Sequence, residues 1–517
     1  MGQKMRGAIA AGHPKTAAAG QVMWELGGNA FDAAIAAMVA SFVVESTLTS
    51  AAGGGFLLAH TKEKQSILFD FFCQTPRVKK AVDEVDFYPV DINFGGAIQV
   101  FHIGLGSIAV PGSLMGLFEV QQQLGKLPFH VVIEPAINYA RNGYDVTTYN
   151  RLTFEILEPI LKASHESQKI YLPNNRLFNV GERAYLQDFA NLLEELAKKG
   201  IQEFYQGDIA HQMVRDIEKG GHLKQEDLSQ YSVIKRKPLI VNYRGYELLT
   251  NPPPSSGGIL IGYALKILES VSLKSGDFGS NKHLQLLAEV MALTNDARKV
   301  NYDNYLYEDN IVSQFLSKKN LLNSQHKLQQ RINKWGSTTH ISAIDEEGNA
   351  ASVTNSNGEG SSYVIPNTGI MLNNMLGEAD LNPLGFHTWH GNRRISSMMS
   401  PTIILREGKP EIVLGSGGSN RIRTSLLQVI SNLLDFNFSL EEAISKPRVH
   451  WENNIFNLEP TEQLENTETL QLPPETETIL WPEPSMFFGG VHGVRRIDEN
   501  TLEGIGDPRR AGVGIVC

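Results

Sequence analysis

The spacing of apolar and polar positions changes character twice along this chain. From residue 15 to 45 alanines and other apolar residues follow one another almost without a break, as in helices packed on every side. Gly27-Gly28-Asn29 interrupts the run and Asp32 opens its second half, which predicts two helices about a tight turn. Gly53-Gly54-Gly55 reads as a hinge entering a strand at 56–60, with 66–72 as its hairpin partner. Residues 111–224 are mostly of helical spacing, with 186–199 strongly amphipathic. A strand over 246–250 ends at Pro252-Pro253-Pro254-Ser255-Ser256-Gly257-Gly258, and 258–302 is again helical.

After residue 338 the period becomes two. Residues 340–344 alternate, Asp345-Glu346-Glu347-Gly348 turns, and 350–356 alternate again, which predicts a hairpin. Further strands are expected at 369–373, 402–405 and 412–414, then a helix at 424–434. The Glu-, Thr- and Pro-rich stretch 458–486 reads as a surface excursion, and no internal repeat is present. Helices first and strands late point to an α+β chain with layered αββα packing rather than a doubly wound parallel sheet.

Composition narrows the function classes. A net charge of −10 without any dense basic cluster excludes the usual nucleic-acid footprint. The apolar run 33–44 is too short to span a bilayer and lies between Asp32 and Glu45, so it reads as a buried helix and no membrane association is expected. Cys73 and Cys517 do not make a disulfide framework, and no secretory signal is visible, so a cytoplasmic location is expected. Asn437-Phe438-Ser439 fits a glycosylation sequon that such a location leaves unused.

The candidate chemistry begins at Thr338-Thr339, the head of the predicted hairpin. A threonine at the start of a chain carries nucleophile and base in one residue: its hydroxyl attacks, and its α-amine, with an unperturbed pKa of about 8, takes the proton. Gly336 and Ser337 are small enough to allow the bent backbone that cutting before Thr338 requires. His340 lies next to Thr339, but alternation turns it away, so it is expected to pack or hydrogen-bond. Gly415-Ser416-Gly417-Gly418-Ser419-Asn420-Arg421 follows a strand and precedes a helix. It lacks the Lys-Ser/Thr of a phosphate loop; a turn offering backbone N–H groups to an oxyanion and a glycine turn with no duty both stay open. No HExxH, CxxC or GxSxG motif occurs and the histidines do not cluster, so neither metal nor cofactor is expected.

Taken together, GGNAFDAAIAA (27–37), AAGGGFLL (51–58), VPGS (110–113), NPPPSSGGI (251–259), STTHISAID (337–345), GIMLNN (369–374), SMMSPT (397–402), LGSGGSNRI (414–422) and GDPRR (506–510) resemble the γ-glutamyltransferase family of N-terminal nucleophile hydrolases. The resemblance covers nearly the whole chain. It implies a four-layer αββα sandwich and autocatalytic cleavage between Ser337 and Thr338. The pieces 1–337 and 338–517 would stay associated as a heterodimer, with a dimer of that unit left open. It further implies that Thr338 attacks a γ-glutamyl amide to form an acyl-enzyme, resolved by water or an amine. Ser356 falls where the family has a second hydroxyl bonded to the nucleophile. Gly418 and Ser419 match the paired glycines of the oxyanion hole, and Asn357, Glu378, Ser396 and Ser397 fall at substrate-binding positions.

The departures concern substrate choice. Phe72 stands where the family has the arginine that grips the substrate carboxylate, and a phenyl ring cannot replace that contact. Met375 and Glu378 occupy the two positions facing the substrate amino group. The family's paired serines become Ser397 and Met398 if anchored on Pro401, or Ser396 and Ser397 if not. Arg393, Arg394 and Arg421 are candidate replacement cations, and only 18 residues separate Glu378 from Ser397, which predicts an open pocket. Three readings follow: a γ-glutamyl hydrolase or transferase, an acylase for another side-chain amide such as glutaryl, and an uncut, non-enzymatic binding relative.

Overall fold

Every side chain of the helix Ala30–Val44 is buried, which is what an unbroken apolar run requires when no face is left for solvent. Its start differs from the sequence expectation. Asn29 is the cap, accepting from the N–H groups of Phe31 and Asp32, and Asp32 sits one turn in, returning a bond to the Asn29 N–H at 2.9 Å. The preceding helix, Pro14–Glu25, packs against it. In this computed structural model residues 5–93, 98–324, 338–461 and 470–517 are described. No helix among them is long and apolar enough to cross a membrane.

Two mixed-origin sheets form the centre. The first has seven strands in the order Val513–Val516, Gly7–Ala11, Thr339–Asp345, Ala350–Ser356, Gly54–His60, Ser66–Phe71 and Ile234–Arg236. The second has six: Leu502–Ile505, Gly490–Arg496, Lys409–Gly417, Thr402–Arg406, Tyr246–Thr250 and Leu239–Tyr243. All their pairings are antiparallel. Each sheet therefore combines strands from before and after Thr338.

Alternation along the strands divides the core in two. Ile9, Ala11, Leu57, Ile341, Ala343, Ala351 and Val353 join the helices of 14–44 in one buried cluster. Ala8, Ala10, Phe56, Leu58, Ile344 and Ala350 join the second sheet and the helices Gly257–Leu268, Asn281–Asn301 and Arg421–Leu434 in the other. The result is the four-layer αββα sandwich. The space between the sheets also holds polar groups: Ser352 donates to the Leu414 carbonyl at 3.1 Å and Ser342 to that of His492 at 3.1 Å. His340 lies there, bonded to Thr354 and Ser342, with burial holding its pKa well below the ordinary value.

Three further sequence expectations change. The helical stretch 258–302 is broken into two helices between Leu268 and Asn281. Residues 369–373 form no sheet strand; Val364 and Met371 make one isolated bridge. The cause is the asparagine pair that follows. Asn373 donates to the carbonyls of Ala52 and Ala109, both at 3.0 Å, and Asn374 accepts from the N–H groups of Glu359 and Gly360. Side-chain amides thus pin this segment as a loop where a ladder was expected. Within 458–486, Glu477–Leu480 adds a parallel strand to Ile455–Leu458, so part of the excursion is ordered sheet.

Candidate active site

Register determines what surrounds Thr338. Thr339 pairs with Asn355, and Ser356 with Gly54, so one more step along the antiparallel pair sets Thr338 opposite Ser356. The strand turns Thr339 toward the helices, where its hydroxyl donates to Glu45 Oε2 at 2.6 Å; Thr16 donates to Glu45 Oε1 at 2.6 Å. Burial pushes the Glu45 carboxyl up, against these two hydroxyls and the Arg510 charge. Thr338, itself buried, turns the other way, and its carbonyl accepts from Arg510 Nη1 at 3.3 Å.

The second sheet approaches from the far side. A Cβ on Gly417 would lie 2.1 Å from the Thr338 carbonyl oxygen, so only glycine lets the strands meet here. Gly418 follows at φ +123°, another conformation suited to glycine, and Ser419 at φ +50° ends the turn before the helix Arg421–Leu434. Among the described residues neither the Gly418 nor the Ser419 N–H has a hydrogen-bond acceptor. The Ser419 hydroxyl donates to Asp380.

The third wall carries carboxylates. The Gly358 N–H donates to Ser356 Oγ at 2.9 Å, and the Glu359 N–H donates to Glu378 Oε1 at 3.1 Å. Burial, and then the nearby Glu359 and Asp380 carboxylates, push the Glu378 carboxyl well above its ordinary range. Asn357 turns its amide N–H away, toward the carbonyls of Met371 and Leu372.

These walls border a small pocket lined by Thr338, Ser356, Glu378, Ser397 and Ser419 together with Phe72, Met375, Asp380, Met398 and others. Gly418 adjoins it through Ser419. Ser396 faces elsewhere, its hydroxyl 3.0 Å from that of Ser256, so Ser397 and Met398 are the pair on the pocket wall. Ser337 lies outside the described residues. Phe72 is fully buried and stacks on Phe56 with ring centroids 5.3 Å apart.

Two of the candidate cations are committed to the scaffold. Arg394 lies beneath Phe72, donating to the Phe72 carbonyl at 2.5 Å, to Tyr231 Oη at 2.6 Å and to the Ser232 carbonyl at 2.8 Å, with Asp70 3.3 Å from its Nε. Arg421 donates to the Phe487 carbonyl at 3.2 Å and lies over the Phe487 ring; burial brings its pKa down to about 10. Arg393 is exposed and lies outside the pocket wall.

Sequence reasoning passed over Asp380, Glu45 and Arg510. Glu45 was visible only as the polar end of an apolar run, and Arg510 as part of GDPRR; no local pattern pointed either toward Thr338. Among the described residues no three His, Cys, Asp or Glu side chains converge as a metal site.

The gamma-glutamyltranspeptidase family model matches residues 16–517. The glutathione hydrolase proenzyme of Escherichia coli (strain K12) is 31% identical over 454 residues, covering 82% of this chain and 77% of its own. The acylase ACY 1 proenzyme of Pseudomonas sp. (strain SE83) is 30% identical over 480 residues, covering 88% and 84%. The crystal structure of cephalosporin acylase from Bacillus halodurans has the same fold, with a TM-score of 0.86 at 24% identity over 99% of this chain and 96% of that one. A family model spanning almost every residue, on the fold and pocket described above, makes this chain a member of the gamma-glutamyltranspeptidase family.

Proposed function

We propose that this protein is a self-processing threonine amidohydrolase acting on γ-glutamyl-type amides. Cleavage of the bond between Ser337 and Thr338 gives pieces 1–337 and 338–517 and frees the Thr338 α-amine. That amine takes the proton from Thr338 Oγ as the oxygen attacks the amide carbonyl. The oxyanion points at the N–H groups of Gly418 and Ser419, and Ser356 steadies the nucleophile. The leaving amine departs with the proton, and water or a second amine then releases the acyl group from Oγ.

The observation that carries this reading is the gathering of Thr338, Ser356, Ser419, Glu378 and Asp380 around one pocket. The relatives' description as proenzymes supports the cleavage step. Association of the pieces follows from the sheets: Thr339–Asp345 lies between Gly7–Ala11 and Ala350–Ser356, so separating the pieces would strip backbone bonds from the centre. For the acyl group, two buried carboxylates favour an amino-bearing substrate, because an ammonium relieves their mutual repulsion. Met375, on the pocket wall at one of the two positions expected to face the substrate amino group, favours a second reading, an acylase for a glutaryl-type group lacking that amine.

Denaturing mass analysis of the purified chain and of Thr338→Ala, followed by kcat/KM for γ-glutamyl and glutaryl anilides, tests both. The wild type is expected to split and the variant to stay whole and inactive, with the γ-glutamyl anilide preferred. Preference for the glutaryl anilide selects the second reading. A wild-type chain that stays whole after long incubation and turns over neither anilide overturns both and leaves a binding protein.

A further inference from the structure

A second, larger cavity adjoins the nucleophile pocket. Leu381 lines both, and of the neighbouring serines Ser397 faces the pocket and Ser396 the cavity. It has about 1030 Å³ of empty space, open to solvent. Tyr305, Tyr307, Leu384 and Trp389 form much of its apolar wall, and three of them are strongly exposed: Leu384 63%, Tyr307 47% and Tyr305 44%. Apolar side chains gathered in a concave site and left in water mark a place where something binds.

The cavity also carries a cation available to a ligand. The Arg393 guanidinium lies over the Tyr307 ring, 5.0 Å from its centroid, and among the described residues it forms no ion pair and no side-chain hydrogen bond. Lys79 lies 4.6 Å over Trp389 at the rim. Of the acids in the wall, Asp303 is paired with Arg298 at 2.9 Å, which leaves Glu308 as the opposing charge. A guanidinium that lies over a ring and has no ion-pair partner can offer donors to a carboxylate.

The wall is built rather than loose. Asn382 donates to the carbonyls of Met375, Leu376 and Glu378, at 3.1, 3.3 and 2.8 Å. The Arg393 N–H donates to Thr75 Oγ1 at 2.9 Å, and Tyr307 Oη donates to the Arg394 carbonyl at 2.9 Å. A preformed site loses little ordering entropy on binding.

We propose that this cavity receives a carboxylate-bearing, apolar or planar part of the amide substrate, with Arg393 as its counter-ion. The proposal rests on the amidohydrolase function above. The carboxylate belongs either to the acyl group or to the leaving amine, and the chemistry of recognition is the same.

Three amides separate the sources: 4-aminobutyryl anilide, with no carboxylate; γ-glutamyl anilide, with one on the acyl side; and 4-aminobutyryl-4-aminobenzoate, with one on the amine side. In the wild type at least one carboxylated amide is expected to exceed the uncharged one about tenfold or more in kcat/KM. Arg393→Ala is expected to bring that ratio near one, with Arg393→Lys between; the amide that responds identifies the source. Because a ratio is read, loss of active protein cancels. In parallel, calorimetry on Thr338→Ala compares 4-acetamidobenzoate with acetanilide, with and without Arg393→Ala, so the cavity is read even if no amide is turned over. Binding of 4-acetamidobenzoate that Arg393→Ala weakens about tenfold, without any turnover, sinks the amidohydrolase function and keeps the anion site. A ratio near one in the wild type, a ratio unchanged by Arg393→Ala, or, where no amide is turned over, no preference for 4-acetamidobenzoate overturns the proposal.

Discussion

Arg510 Nη1 donates to the carbonyl oxygen of Thr338 across 3.3 Å. The buried guanidinium comes from the turn Pro508–Arg510, just before the last strand, so the end of the chain holds the backbone of the residue on which the proposed chemistry depends. Its charge also acts on Glu45, the carboxylate that holds Thr339.

Arg510→Met is therefore expected to slow both chain splitting and amide turnover. A charge-assisted bond of this kind contributes about 1.5–3 kcal/mol, which corresponds to roughly ten- to hundredfold in rate. Time courses on denaturing gels, beside initial rates, measure it. Splitting at the wild-type rate would show that the contact has no part in positioning Thr338.

Gly417→Ala puts a methyl carbon 2.1 Å from the Thr338 carbonyl oxygen, far inside contact distance. The two sheets must part at this point, at a cost of about 1–3 kcal/mol, and turnover should be lost with the geometry. Urea unfolding gives the stability. Gly276→Ala, with nothing within 4 Å of the new carbon, is the control and should move stability by no more than about 0.5 kcal/mol.

Arg394→Met tests whether this cation is scaffold or ligand. Removing the guanidinium leaves Asp70 with Arg236 as its cation, the Phe72 carbonyl with only the Tyr231 hydroxyl, and the Ser232 carbonyl without the Arg394 bond. Losing these charge-assisted bonds costs about 1.5–3 kcal/mol, so a fall in melting temperature is expected. A variant as stable as the wild type with a raised KM would instead make Arg394 a substrate ligand.

The pH dependence of stability should carry the mark of two buried imidazoles. His13 Nδ1 accepts from the Lys15 N–H and His492 Nδ1 from the Asp507 N–H, both at 3.1 Å, so neither nitrogen can take a proton without losing its bond. Burial lowers both pKa values to about 4. Between about 6.5 and 4 the unfolded chain binds protons that the folded chain refuses, so stability falls as pH falls through that window. Each histidine should remove about 2 kcal/mol between pH 7 and 5. His492→Asn, which keeps an acceptor at the same place, should flatten the loss of urea midpoint by its share; an unchanged slope would assign the acid sensitivity elsewhere.

Much of the site was readable before any coordinates. The hairpin at 338–356 follows from period two and a glycine turn, and the glycine run at 415–418 from its place between a strand and a helix. What misled was local pattern acting alone. Residues 369–373 have strand composition, yet the amides of Asn373 and Asn374 bind partners far away in sequence and hold a loop. Arg394 looked like a free cation because its neighbours in sequence say nothing about Phe72, Tyr231 and Asp70.

By itself, then, the amino-acid order determined the layers and the place of Thr338 at the head of a strand, because strand and helix periods are properties of neighbouring residues. It also placed Phe72 where the family resemblance leads one to expect an arginine. Only the tertiary structure decided which groups meet Thr338: Arg510 on its carbonyl, Asp380 on Ser419, Glu378 beside Ser356, and Arg393 in the next cavity. These pairings join residues tens to hundreds of positions apart. Their geometry comes from how two sheets and a loop pinned by asparagines close on one another, which no local period encodes.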